Sequence, residues 1–294
     1  LVGAHANLIT AAMFLTGMAA NPLVSKAAFD IFEIQFDWFT WAKGGIVPGL
    51  IGLAGLPLLI NYISTPTIDS IQPIREKIQE DIQSLGPWTR QEIITACTLG
   101  VMLILWSTKP FHGWGTTTVA FLGLVVILLT RTLTWDQLVK NHKAWDALIW
   151  LGGLLTLATG LKDLGFIGWF GNLIGNGLTG ISPIMLLIAL TLIYFYSMYF
   201  FSMLTAHIVA LVGTIFLVAS GVGSNPFLIV GIMAYFSNLC GCLTNYSTGP
   251  VIIYFGNGYV QPLAWFRIGF IVSIYHLVVW LGIGSIWWKM IGWW

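Results

Sequence analysis

The residues suited to chemistry in this chain of 294 amino acids fall into short uncharged clusters set in apolar sequence. One is Thr16-Gly17-Met18-Ala19-Ala20-Asn21-Pro22, another Ser202-Met203-Leu204-Thr205-Ala206-His207, and a third Thr244-Asn245-Tyr246-Ser247-Thr248-Gly249-Pro250. The sequence has no carboxylate pair, H-E-x-x-H, G-x-S-x-G or P-loop pattern, so hydrolytic or phosphoryl chemistry has no apparatus. These clusters suit binding instead. Breaking an apolar helix at Asn-Pro or Gly-Pro frees backbone N–H and C=O groups, which survive in hydrocarbon only beside protein or a water-filled cavity. Helix N-termini favour an anionic group, and freed carbonyls favour a cation such as Na⁺. The breaks add the hydroxyls of Thr16, Thr244, Ser247 and Thr248 and the amides of Asn21, Asn238 and Asn245. A carboxylate balanced by co-bound cations needs no Arg, and from Leu164 to Phe266 there is no Asp, Glu, Lys or Arg.

Plainer roles stand beside these. Thr, Ser and Asn in membrane helices also hydrogen-bond neighbouring helices. His207 is a structural hydrogen-bonding residue, a substrate contact or a proton carrier, and Ser202 with His207 offers a nucleophile pair that lacks a third orienting group. His5 and His276 read as packing residues, and Arg267 and Lys162-Asp163 as snorkelling span ends. Cys97 is far from Cys240 and Cys242, which leaves neither a disulfide framework nor a four-ligand zinc site; Cys240-x-Cys242 reads as small-residue helix packing.

The elements that position these clusters are membrane helices. Hydrophobic residues make up 57% of the chain and charged ones 8%, with 15 Trp and mean hydropathy +0.86, and apolar runs recur at spanning length. The net charge of +1 is scattered in connecting segments, so membrane lipids are the expected surroundings and nucleic acid is not a partner. Residues 1–63 hold a helix that unwinds at Thr16 to Pro22, then a wet aromatic segment with Trp38 and Trp41, then a span. Residues 64–92, with Pro66, Pro73 and Pro87, read as a solvated linker. Residues 93–294 follow, with spans at 93–130 and 147–161, an interfacial helix at 165–180 and a hairpin at 182–220. An interrupted helix at 226–256 and a last, Trp-ended span at 268–286 complete the chain. The roughly 39 residues of the hairpin would measure about 58 Å as one helix, nearly twice the hydrocarbon core, so a re-entrant turn with Ser202, Thr205 and His207 at its tip fits better. Arg75, Lys77, Arg90, Arg131, Lys140 and Lys143 outnumber Lys26, Lys43 and Lys109 on the other side, which puts the 64–92 linker in the cytoplasm.

Leu15 to Val24 aligns without gaps on Leu243 to Ile252, and Trp41-Ala42-Lys43-Gly44-Gly45 parallels Trp265-Phe266-Arg267-Ile268-Gly269. Interrupted helices in corresponding positions point to the binding site of a duplicated secondary transporter. By the same repeat, a first hairpin is expected before Leu1, in a longer protein of which this chain is the remainder. The weighed alternatives are a passive anion channel, whose midplane hairpins also build pores, and an intramembrane enzyme using Ser202 and His207.

Phe14 to Leu23, Phe200 to His207 and Thr244 to Pro250 together resemble the divalent anion:sodium symporter family, nearest its 2-oxoglutarate/malate translocators and citrate/succinate antiporter. The resemblance implies an all-α integral membrane protein, an inverted-repeat transporter of the elevator type with re-entrant hairpins and unwound helices, whose N-terminal part precedes this chain. It implies a homodimer in a bacterial inner membrane or plastid inner envelope, moving di- or tricarboxylates by Na⁺ symport or exchange without an organic cofactor. Thr205 and His207 then fall at the outer hairpin tip and Asn21 and Thr248 in the unwound segments. The expected substrate positions are Thr16, Asn21, Ser202, Thr205, His207, Ser247, Thr248 and Pro250, and the expected Na⁺ ligands are Thr205, Thr244 and Asn245. One departure stands out: Phe201-Ser202-Met203 replaces the family's Phe-Ala-Ser before the tip.

Overall fold

The computed structural model of the protein describes residues 1–64, 72–142, 145, 156, 160, 164–165, 169, 182–221, 223 and 225–294. In chain order its helices are α1 (Val2–Met13), α2 (Asn21–Phe32), α3 (Trp38–Ile63), α4 (Gln72–Leu85), α5 (Arg90–Ser107), α6 (Lys109–His112), α7 (Thr116–Leu129) and α8 (Trp135–Val139). They continue as α9 (Pro183–Ser197), α10 (Leu204–Ser220), α11 (Pro226–Leu239), α12 (Gly249–Gly256), α13 (Pro262–Leu277) and α14 (Gly284–Met290), with a π turn at Val278–Ile283 joining the last two. The span expected at 147–161 and the interfacial helix expected at 165–180 lie all but wholly outside the described residues. Among the described residues, four helices are long and apolar enough to cross a membrane: Trp38–Ile63, Pro183–Phe200, Pro226–Leu243 and Pro262–Met290.

The chain forms two compact units, Leu1–Ile63 with Ile149–Trp294, and Ser64–Leu148. They cut across the division read from sequence, because residues 1–63 pack with the end of the chain. In the second unit α5 packs on α7, and Trp106 Nε1 donates to the Thr116 carbonyl at 3.1 Å. A Thr89–Glu92 capping box opens α5, and the described side chains of α4 are all exposed.

The first unit is built around α11. Every residue from Leu228 to Leu239 is buried, as expected of a helix that is apolar on all sides and enclosed by protein. Helices α1, α2, α9 and α10 pack against it, and α1 also lies along α3. Sequence placed Trp41 in a wet interfacial segment, but it is fully buried. Its Nε1 donates to the Ala12 carbonyl at 2.7 Å, one of the groups left without an intrahelical partner at the end of α1. Tyr235 of α11 donates to the Trp41 carbonyl at 2.9 Å and stacks on Trp288 with ring centroids 5.8 Å apart. Much of the Trp-rich end of the chain is thus core: Trp280, Trp288 and Trp293 are buried while Trp294 is exposed, and Trp288 Nε1 donates to the Gly44 carbonyl at 3.0 Å.

Candidate functional site

Two helices of the first unit break in the same way. Helix α1 gives way to a 3₁₀ turn at Leu15–Gly17 flanked by extended Phe14 (φ −132°, ψ 136°) and Met18 (φ −145°, ψ 141°), and α2 then begins at Asn21-Pro22. Helix α11 gives way to a 3₁₀ turn at Cys240–Leu243 followed by extended Thr244 (φ −129°, ψ 156°) and Thr248 (φ −139°, ψ 158°), and α12 begins at Gly249-Pro250. Proline is tolerated in both first turns because the N–H it lacks has no intrahelical partner there. The hairpin turns similarly: α9 passes through a 3₁₀ turn at Met198–Phe200 and extended Phe201 and Met203 before α10. Leu204 N–H donates to the Ser247 carbonyl at 2.9 Å, which ties the hairpin tip to the second break.

Each break needs its freed carbonyls satisfied. Asn21 Nδ2 donates to the carbonyls of Ala11 and Phe14, both at 3.1 Å, and Ser247 Oγ donates to the Gly241 carbonyl at 2.6 Å. Both side chains are fully buried. Gly17 allows the first turn to fold this tightly, since a Cβ there would lie 2.7 Å from the Ala11 Cα. Asn21 and Ser247 therefore hold the breaks open with the same groups that sequence reserved for a solute.

A cavity of about 280 Å³ lies where α1, the two breaks and the hairpin tip meet. Of the expected positions, Thr205, Ser247, Thr248 and Pro250 line it, and no charged side chain does. Thr248 Oγ1 accepts from Val251 N–H at 3.2 Å as the N-cap of α12, which leaves its own proton to donate. The Thr205 hydroxyl has no partner among the described residues. Asn7 and Asn238 also line the cavity. Asn238 counts among the amides near the breaks, yet nothing in its spacing sets it apart; the available signal is a carboxamide in the last turn of an otherwise apolar helix.

The other expected positions lie elsewhere. Thr16 is exposed, and its Oγ1 accepts from Trp38 Nε1 at 3.2 Å. Asn21 sits behind the cavity wall, its Oδ1 accepting from Asn238 Nδ2 at 2.8 Å. His207 faces into its own hairpin, with Nε2 2.9 Å from the Tyr194 carbonyl oxygen and 2.8 Å from Ser197 Oγ. A carbonyl only accepts, so Nε2 carries the proton. Ser202 is exposed at the tip, so the nucleophile pair with His207 does not form. Thr244 is buried with an Oγ1 that no described residue satisfies, and Asn245 is half-buried beside it in sequence. Among the described residues no group of three or more His, Cys, Asp or Glu is placed to hold a metal ion, so a cation here would be held by neutral oxygens.

Residues 1–294 match the family described as "Sodium:sulfate symporter transmembrane region". Over 292 residues the chain is 40% identical to "Putative malate transporter YflS" of Bacillus subtilis (strain 168), covering 99% of this chain and 61% of that protein. It is 38% identical over 290 residues to "Dicarboxylate transporter 1, chloroplastic" of Arabidopsis thaliana, covering 98% and 52%. It is 31% identical over 291 residues to "L-tartrate/succinate antiporter" of Escherichia coli (strain K12), covering 97% and 59%. The chain thus spans between 52% and 61% of the length of these relatives. From its first residue to its last, this apolar helical chain belongs to the sodium:sulfate symporter family, the divalent anion:sodium symporters of the membrane.

Proposed function

We propose that the protein is a secondary transporter that moves di- or tricarboxylates such as malate, 2-oxoglutarate, succinate or citrate, by Na⁺ symport or by exchange of one dicarboxylate for another. The observation that carries this reading is the uncharged cavity where two broken helices and a hairpin tip converge. Among its free donors are the Thr205 and Thr248 hydroxyls, the Asn7 carboxamide NH₂ and the N–H of Gly249. In the first turn of α12, Pro250 has no N–H, and those of Val251 and Ile252 are taken by Thr248. Hydrogen bonds from neutral donors are stronger at low dielectric than in bulk water, and freed helix termini are where transporters of this build hold anions and Na⁺. Thr205, Thr244 and Asn245 offer neutral oxygens of the kind Na⁺ takes. The names of the relatives, malate, dicarboxylate and tartrate/succinate carriers, support the same substrate class.

Helix α10, at 17 residues, measures about 26 Å, short of the roughly 30 Å hydrocarbon core. This supports a hairpin that enters and leaves on one side. The matching build of the two breaks supports an inverted repeat, with elevator motion and a homodimer as the family pattern. Uptake of labelled malate, succinate and citrate by the full-length protein in lipid vesicles tests the reading. Uptake stimulated by sodium into empty vesicles selects symport, uptake that requires internal dicarboxylate selects exchange, and uptake of none of the three acids removes the proposal.

A further inference from the structure

We infer that α4 lies along the membrane surface as an amphipathic helix, its Ile78, Ile82 and Leu85 seated at the boundary between lipid headgroups and acyl chains. The segment that composition marks as a solvated linker is then an anchor between α3 and α5. This goes beyond the carboxylate-carrier reading and does not depend on it.

Helix α4 runs over Gln72–Leu85. At the helical repeat, Ile78, Ile82 and Leu85 fall on one face and Glu76 and Glu80 on the opposite one, with Arg75 and Asp81 flanking the apolar stripe. The stripe is open: Ile78 is 51%, Ile82 60% and Leu85 80% exposed, and Trp88, in the connection to α5, is 70% exposed. An isolated helix of 14 residues is marginal in water, and helices in proteins draw most of their stability from burying an apolar face. The described residues do not supply that burial for α4.

Lipid is the occupant that its position favours. On one side α3, long and apolar enough to cross a membrane, ends at Ile63. On the other, α5 starts at Arg90, and the connection from Leu85 to Arg90 spans at most about 17 Å. From Ile93 to Ser107 α5 carries no charge, and Leu99, Val101, Leu103 and Ile104 are exposed along it, the surface of a helix that meets lipid. Both ends of α4 are therefore tethered close to the bilayer, and Trp88 is of the type that settles at its boundary. Arg75 and Lys77 face three acids, Glu76, Glu80 and Asp81, so apolar burial rather than attraction to anionic headgroups seats the helix. A second copy of α4 is the competing occupant, but 14 residues fall short of the roughly three to four heptads that sustain a helix pair.

The test places an environment-sensitive fluorophore on the full-length protein in phosphatidylcholine vesicles, at Ile82→Cys or at Glu80→Cys, with the exposed Cys97 changed to Ser and other reactive thiols removed. The label at 82 is expected to be quenched about threefold more by a doxyl group carried on lipid near the headgroup than the label at 80, with the order reversed for aqueous iodide. Amide exchange of α4 in the unlabelled wild type gives a second reading: protection in vesicles, reduced about tenfold in Ile78→Gln/Ile82→Gln while that of α11 holds. If the labelled proteins fail to insert, the exchange measurement decides. Iodide reaching both labels alike, or α4 amides of the wild type exchanging as an unstructured chain, overturns the inference and restores the solvated linker. A label at 82 shielded from lipid and iodide together also overturns it, because protein, a second copy or another part of this one, then covers the stripe.

Discussion

The ring of His207 packs on that of Tyr194 with centroids 4.3 Å apart, while its Nε2–H reaches back to the Tyr194 carbonyl oxygen at 2.9 Å. One residue of α10 thereby pins the end of α9, and Ser197 Oγ closes the arrangement by donating to the same carbonyl at 2.8 Å. The histidine that sequence offered as substrate contact or proton carrier is placed as the clasp of the hairpin.

Replacing His207 with Leu is therefore expected to lower the stability of the full-length protein by about 1–3 kcal/mol, the effect of leaving a buried polar partner unsatisfied. The substrate concentration at half-maximal uptake should stay at the wild-type value. Thermal unfolding in detergent and uptake kinetics in vesicles read the two effects separately. An unchanged unfolding temperature with a weakened substrate response would return His207 to the cavity.

Much of this architecture is legible in the sequence, for reasons that differ from element to element. Hydropathy predicts the span that becomes α3, and Asn21-Pro22 and Gly249-Pro250 mark both interruptions because proline and small polar residues cannot continue an apolar helix cheaply. Partner choice is not legible. Asn21 carries a donor end and an acceptor end, and only the folded chain shows both turned inward, to Ala11, Phe14 and Asn238. Trp41 reads as interfacial by type and Trp288 as part of a Trp-rich span end, yet their indole N–H groups find carbonyls of distant helices, an outcome set by long-range packing. Asn238 is one amide in an apolar helix until Asn21 orients it.

Asn21→Asp gives a sharp test of that assignment, because a carboxylate matches the amide in shape but cannot donate. The carbonyls of Ala11 and Phe14 would each face an acceptor. The expected loss is about 3 kcal/mol or more, since a buried charge without a partner adds to the missing hydrogen bonds. Denaturation of the detergent-solubilised variant measures it. Near-wild-type stability would mean that water or lipid satisfies the broken end of α1 and that Asn21 is free for a solute.

Gly269 of α13 lies against the second break, where an added Cβ would collide with the carbonyl oxygen of Cys242. The obstacle is backbone, so no rotamer change relieves it. Gly269→Ala is expected to destabilise the first unit by about 3 kcal/mol, at the upper end of overpacking effects. Gly213→Ala on α10, where a Cβ meets nothing within 4 Å, is expected to be neutral or to stabilise by up to about 1 kcal/mol through helix propensity. Unfolding curves that place the two variants together would contradict the packing of α13 on the Cys240–Leu243 turn.

In the second unit, Thr89 donates to Glu92 Oε2 from its N–H at 2.7 Å and from its hydroxyl at 2.9 Å. These bonds favour the ionised carboxylate and hold Glu92 below the ordinary value of 4.5. A depressed folded-state value stabilises the fold above the unfolded value and stops doing so as pH falls through the folded one. The first turn of α5 is thus expected to fray only on acidification below the ordinary Glu range. Glu92→Gln, which keeps the acceptor without the titration, should remove that dependence. Hydrogen-exchange protection of the α5 amides followed through the carboxylate range measures it, and protection that holds constant in the wild type would contradict it.

Thr248 serves the second break and the cavity at once: its Oγ1 caps α12 while its proton remains free to donate. Thr248→Val removes both roles, whereas Thr248→Ser keeps both. The valine variant is expected to lose about 1 kcal/mol of stability with the cap, and to require about tenfold more dicarboxylate for half-maximal uptake as a donor to the anion disappears. The serine variant should stay near the wild type in both measurements. If valine and serine carry dicarboxylate alike while the valine protein is merely less stable, the hydroxyl serves only to cap α12 and the carboxylate is held elsewhere, at the hairpin tip around Thr205.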